Sequence, residues 1–155
     1  MFRLCMLLVL FYAGSVQAEK LIVPPEYVVK IAKSLSYSDF PKTMDILAIV
    51  RVESAFRPMV INPEIGSVGP SRGLMQIQNG SLEVHRNMHE GVGLLREYYQ
   101  RLGSKEAAVK SYNIGISAYK QGRAKVSAEI YWRKFSKRRS EYLKYYASKG
   151  RLAKL

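Results

Sequence analysis

Residues 41 to 56, PKTMDILAIVRVESAF, constrain this chain more than any other stretch. Ile46, Ile49 and Val50 follow helical spacing, and most of the positions between them are apolar too. A helix that is apolar on nearly every side cannot rest on a surface, so this one reads as mostly buried and the rest of the chain has to cover it. One residue breaks the pattern. Glu53 is the next member of the face formed by Ile46, Ile49 and Val50, just before Arg57-Pro58 stops the helix.

A carboxylate on an apolar face loses hydration when charged, so its pKa rises and it can hold a proton near neutrality. Each pH unit of displacement costs about 1.4 kcal/mol, which calls for a reason. General acid catalysis of glycoside cleavage is one, because the leaving oxygen needs a proton held ready at neutral pH. The bland alternative is a glutamate at the rim of a buried face, reaching out to water. Spacing alone does not choose between them.

At 155 residues the chain can build one domain with a sizeable core. Hydrophobic residues make up 48% and charged ones 24%, an ordinary globular balance that argues against disorder. The formal net charge of +13 is unevenly spread. Residues 1–95 carry nine Lys/Arg against eight Asp/Glu, whereas residues 96–155 carry sixteen against four. The basicity belongs to the C-terminal part and implies a polyanionic partner or surface.

Residues 1–18, MFRLCMLLVLFYAGSVQA, read as a secretory signal peptide. Arg3 is its positive end, Leu4 to Ala13 its apolar run, and Val16-Gln17-Ala18 its cleavage site. Export to a periplasm or cell-wall space is therefore expected, with no membrane span after cleavage. The run is shorter than the roughly 20 apolar residues a span needs. The chain's one cysteine, Cys5, falls inside this leader, so residues 19–155 have neither disulfides nor a thiol nucleophile.

Along the rest, Pro24-Pro25-Glu26 opens a helical pattern through Tyr27, Ile31 and Leu35. Residues 57–73, with three prolines and three glycines, read as a loop. LMQIQ, Asn79-Gly80 and SLEVH suggest a hairpin, or else a loop running into a helix. Helical patterns follow at about 89–102, 104–113 and 127–148. The last carries an aromatic stripe of Tyr131, Phe135, Tyr142 and Tyr145 or Tyr146 beside a crowd of Arg and Lys. The fold class is mainly α, a single helical domain with at most a small β element.

Glu53-Ser54-Ala55-Phe56-Arg57-Pro58 is followed in order by Ser67, by Gly73-Leu74-Met75-Gln76-Ile77, by Asn87 and Gly91, by Ser111-Tyr112-Asn113-Ile114-Gly115, and by Tyr131 in YWRKF. Over residues 41–136 this order resembles the soluble lytic transglycosylase family, which shares an α+β lysozyme-like fold with goose-type lysozymes. The family pattern is a Glu-Ser pair ending a buried helix, a Ser before Gly-Leu-Met-Gln, an Asn-x-x-x-Gly helix start, an Ala-Tyr-Asn-x-Gly turn and a late tyrosine.

The resemblance implies a peptidoglycan-cleaving enzyme in which Glu53 is the single catalytic acid/base. It would protonate the oxygen between N-acetylmuramic acid and N-acetylglucosamine, then take the proton of the muramyl C6 hydroxyl as a 1,6-anhydro ring closes. No second acid accompanies Glu53 in its motif. Glycosidases with two carboxylates need a partner roughly 5 to 9.5 Å away, whereas an intramolecular hydroxyl needs none. Glu64, the nearest other acid, sits in a Pro/Gly loop and reads as a solvated charge.

Substrate-binding or supporting roles fall by resemblance to Ser54, Ser67, Met75, Gln76, Tyr112, Asn113 and Tyr131. Each has a plainer reading. Gln76 either meets sugar groups or steadies a turn, and Met75 lies under the sugar or is simply core. Asn113 caps a turn or binds, Tyr131 belongs to the core stripe in either case, and the serines often satisfy local backbone. The sequence departs from the family at Pro70-Ser71, in a longer loop after Glu53, and in only nine residues between Ile77 and Asn87. By the resemblance that last segment flanks the glycan groove, so its shortness leaves the number and position of sugar subsites open.

No cofactor is implied. His85 and His89 are four apart but lack a third ligand or a His-Glu-x-x-His pattern, so they read as surface histidines, not a metal site. Peptidoglycan is the expected partner, within a secretion, conjugation or phage-infection apparatus that opens the wall locally. Nucleic acid is not expected, because the aromatics fall on the core face and are not interleaved with the basic residues. Two rivals stay open: a hydrolytic muramidase on the same fold, and a non-catalytic wall-binding assembly protein.

Overall fold

The computed structural model describes residues 21–63 and 69–155. The leader reading, Glu64 and Ser67 lie outside the described residues. Helices α1 (Glu26–Leu35) and α2 (Thr43–Ser54) come first, then strands β1 (Ile61–Asn62), β2 (Ser71–Arg72) and β3 (Ile77–Gln78). Helices α3 (Val84–Leu102), α4 (Lys105–Ile114), α5 (Ile116–Lys120) and α6 (Lys125–Ser148) follow, with a 3-10 turn at Leu152–Lys154. This is the mainly α domain with a small β element that the pattern predicts. No helix among the described residues is long and apolar enough to cross a membrane.

Helix α2 is the buried centre. Every residue from Thr43 to Val50 is inaccessible to solvent or nearly so. It lies between α1 and α6, while α4 packs against α3 and α6. The apolar wrap of α2 includes one charge, Asp45, at 0% exposure. It is stabilised there by the Lys42 backbone N–H at 2.9 Å, Arg139 Nε at 2.6 Å and Lys105 Nζ at 3.2 Å. A buried carboxylate is tolerated only with such partners, and these tie the start of α2 to α4 and α6. The Thr43 hydroxyl donates to the Leu155 carbonyl at 2.8 Å, closing the C-terminal end onto α2.

The elements differ from the expectations in five places. In α1 the buried face is Val28 and Ala32, while Tyr27 is 45% exposed and Ile31 and Leu35 are half-covered. Residues 28 and 32 are four apart and share one face, which lies one residue round from the face of 27, 31 and 35. Helix α3 starts five residues before position 89, because the Glu83 carboxylate accepts from the backbone N–H groups of His85 (2.9 Å) and Arg86 (2.7 Å).

The hairpin is present but displaced. β2 and β3 pair antiparallel around a Gly73–Gln76 turn, with Arg72 opposite Ile77, and SLEVH runs into α3. Asn79 takes the left-handed conformation (φ 53°) at the exit of β3, donating its N–H to the Pro70 carbonyl at 2.8 Å. Finally, β1 occupies part of the stretch read as loop, and α5 fills the gap between the last two helical patterns. Tyr131, Phe135, Tyr142 and Tyr146 are buried on α6, as the stripe predicts, with Tyr145 partly covered.

Candidate active site

Glu53 sits in the last turn of α2. The helix stops there because Ala55 (φ 52°) and Phe56 (φ 64°) both turn left-handed, and Phe56 then inserts into the core edge-on to Tyr142, 6.1 Å between centroids. Ser54 is buried, with its hydroxyl donating back to the Val50 carbonyl at 3.1 Å. Its own carbonyl accepts from Arg57 Nε at 3.1 Å. Ser54 therefore shapes the helix end and makes no bond to the carboxylate.

Glu53 is partly buried and opens on a cleft of about 480 Å³. Asn62, Ser71, Gln76, Ile77 and Gln78 from the sheet form one wall, Leu94 and Tyr98 of α3 another, and Tyr112, Asn113, Ile114 and Gly115 at the end of α4 a third. Loss of hydration pushes the Glu53 carboxyl from an ordinary 4.5 up to about 7. The C-terminal end of α2 acts in the same direction, since partial negative charge collects there. The Tyr131 hydroxyl donates to Glu53 Oε1, and Lys134, one turn further along α6, adds positive charge. Both pull the value back down, but by less than burial raises it.

The other positions divide into cleft and scaffold. Tyr112 lines the cleft while its hydroxyl donates to the Met75 carbonyl at 2.7 Å. Burial first, then the Glu53 charge, pushes the Tyr112 and Tyr131 hydroxyls well above the usual tyrosine value, so both remain proton donors. Asn113 is exposed at the cleft edge and accepts from the Ser127 hydroxyl at 3.0 Å. Gln76 reaches the cleft with its amide engaged: Nε2 donates to the carbonyls of Gly73 (2.8 Å) and Val60 (3.1 Å), and Oε1 accepts from Asn62 Nδ2 at 2.6 Å. That arrangement braces the sheet wall. Met75 is wholly buried beneath it.

The Asn87 and Gly91 pair explains why this turn stays in place. Asn87 Oδ1 accepts from the Met75 N–H at 2.8 Å, and Nδ2 donates to the carbonyls of Arg72 and Ser81, each at 2.9 Å. A Cβ on Gly91 would lie 2.6 Å from Met75 Sδ, and one on Gly73 would lie 2.6 Å from Asn87. Helix α3 can thus approach the turn only with glycine at both places. The contact holds Met75, and through its carbonyl the hydroxyl of Tyr112.

Sequence reasoning missed Asn62, Ser71, Gln78, Leu94 and Tyr98 as cleft residues. Tyr98 carried no local signal: its place follows from Tyr99, which packs on Phe40 with centroids 5.1 Å apart and so turns its neighbour about 100° round α3 toward the cleft. Asn62 and Gln78 are in two-residue strands, too short to show a period. His85 and His89 are exposed on α3, and the described residues contain no cluster of three or more His, Cys, Asp or Glu side chains able to hold a metal. Glu53 is the one acid lining the cleft among the described residues.

Comparison with known proteins points to one family. The transglycosylase SLT domain matches residues 30–135. No curated protein matches the chain. Among solved structures, the complex of the 70-kDa soluble lytic transglycosylase with bulgecin A aligns with a TM-score of 0.50 and 24% identity. The alignment covers 72% of this chain and 21% of that one, so this chain spans about a fifth of that protein's length. At this identity the likeness speaks for the fold.

Proposed function

The chain belongs to the transglycosylase SLT domain family, and from that premise we propose that it is a peptidoglycan lytic transglycosylase with Glu53 as its single acid/base. The observation that carries the reading is a carboxyl titrating near 7, held by Tyr131 in a polar cleft that contains no other acid among the described residues. Near neutrality much of the Glu53 population is protonated, the state a general acid needs.

Glu53 donates this proton to the β-1,4 oxygen between N-acetylmuramic acid and N-acetylglucosamine as the bond to muramyl C1 breaks. The substrate's acetamido oxygen supports the positive charge at C1. The Glu53 carboxylate, steadied by the Tyr131 hydroxyl and Lys134, then accepts the C6 hydroxyl proton while that oxygen bonds to C1. Atoms balance without water: the products are a free N-acetylglucosamine end and a 1,6-anhydromuramyl end. A hydroxyl already tethered to the reacting sugar has a high effective concentration, so no second carboxylate is needed as nucleophile or as base for water.

The biological setting belongs to the same proposal: export to the periplasm or cell-wall space, and local opening of the wall for an envelope-spanning apparatus. Incubating the purified protein with sacculi tests the enzymatic reading. Soluble muropeptides are expected from wild type, and Glu53→Gln is expected to release almost none. Equal release by the two proteins would remove Glu53 from the chemistry.

A further inference from the structure

Outside the cleft, the densest unexplained feature is a cationic pocket between the last turn of α2 and the middle of α6. Arg51 and Val52 of α2 and Lys134, Lys137 and Arg138 of α6 line a hollow of about 390 Å³. Residues 134, 137 and 138 share one helix face, and no acidic side chain lines the hollow. Arg138 is paired with Glu141 at 2.9 Å, and Arg51 also has an interaction of its own, so neither arginine is idle. Lys134 and Lys137 are exposed, and Lys137 is in no ion pair among the described residues.

Lys134 and Lys137, one turn apart on the exposed side of the hollow, repel each other, and an anion seated between them relieves that repulsion. The pocket also adjoins the chemistry: Val52 precedes Glu53, and the Lys134 charge acts on the Glu53 carboxyl. We propose that this pocket receives the carboxylates of the stem peptide borne by the muramyl residue being cleaved. The inference rests on the proposed function, because that reading puts a muramyl sugar beside Glu53. The peptide leaves that sugar through its lactyl ether, so it emerges next to the reacting bond. Val52 offers apolar contact for the peptide and the lysines take its charge. Lys137 is not among the groups that act on the Glu53 carboxyl, so it would act through binding alone.

Two measurements on the full chain decide the matter. The first compares wild type, Lys137→Gln and Lys137→Glu on sacculi and on the same sacculi after an amidase has removed the stem peptides. Lys137→Glu is expected to raise KM on the peptide-bearing wall roughly three- to tenfold, with kcat unchanged. Lys137→Gln should fall between it and wild type, and stripped glycan should show no difference among the three. An equal change on both substrates, or no change on either, overturns the proposal.

The second measurement needs no activity: amide chemical shifts followed during titration with an acidic stem tripeptide and, separately, with inorganic phosphate. Shifts centred on Val52, Lys134 and Lys137 with the peptide alone support the pocket. No shifts there, or an equal response to phosphate, contradict it. If wild type cleaves neither substrate, the enzymatic reading fails while the titration still decides the pocket.

Discussion

Replacing Glu53 with glutamine should make the protein more stable and inactive at once, and the stability change should depend on pH in a defined way. The Glu53 carboxyl titrates at about 7 in the fold and near 4.5 when exposed. Between those values the native protein holds a proton that the unfolded chain has lost, so stability falls as pH rises through the window. The penalty is absent below 4.5 and complete above 7. At 1.36 kcal/mol per pH unit it reaches about 3 kcal/mol, a ceiling for a side chain that is only partly buried. Glu53→Gln keeps the shape and an acceptor for the Tyr131 hydroxyl while removing the charge.

The two proteins should therefore match at about pH 4, and the variant should be more stable by about 2–3 kcal/mol at about pH 8. For a domain of this size the second figure corresponds to roughly 5–10 °C in Tm. Urea denaturation across that range reads both numbers. A stability gap that does not grow with pH, or a wild type more stable than the variant under alkaline conditions, would refute the claim that burial holds a proton on Glu53.

Tyr131→Phe removes a hydrogen bond to the charged carboxylate, so the Glu53 pKa should rise further. A charge-assisted bond of about 1.5–3 kcal/mol moves the alkaline limb of the lytic rate up by about 1–2 pH units, which a pH–rate profile reads directly. Gly91→Ala drives a methyl group to within 2.6 Å of Met75 Sδ. It should cost about 1–3 kcal/mol in denaturation and lower kcat, since Met75 holds the Tyr112 hydroxyl. Asp45→Ala leaves Arg139 and Lys105 without their shared anion at the start of α2. A loss of about 3 kcal/mol is expected from chemical denaturation, and a loss below about 0.5 kcal/mol would mean that the buried charge contributes no net stability.

The parts of the molecule that were legible in the sequence are those in which a periodic pattern and a special residue coincide. The mostly apolar run from Met44 to Val50 required a buried helix, and this part of α2 is wrapped on every side. Glu53 stood out because it breaks that pattern, although periodicity could not distinguish a rim position from a cleft. Asn87 and Gly91 were legible as a motif, while their reason, a side-chain clamp on the Met75 turn and a close approach of helix to turn, is tertiary.

Local signals misled where long-range bonds decided the outcome. Asn79-Gly80 reads as a hairpin turn, yet the turn lies at Gly73–Gln76, because Asn87 ties residues 72, 75 and 81 together from α3. Gln76 reads as a sugar ligand or a turn brace, and its amide bonds to Gly73 as a brace while also reaching Val60 and Asn62, which no local pattern places beside it. The pairing of Asp45 with Lys105 and Arg139 joins residues sixty and ninety-four positions apart, beyond the reach of any local pattern.

The central claim is that Glu53 transfers a proton from the muramyl C6 hydroxyl, with no second carboxylate and no water in the reaction. Weighing the muropeptides released from sacculi tests it most directly. The account predicts 1,6-anhydromuramyl ends, lighter by one water than reducing ends, with Glu53→Gln releasing almost nothing. Muropeptides carrying reducing ends would contradict it, because water, activated by the same Glu53 carboxylate, would then be the nucleophile in place of the C6 hydroxyl.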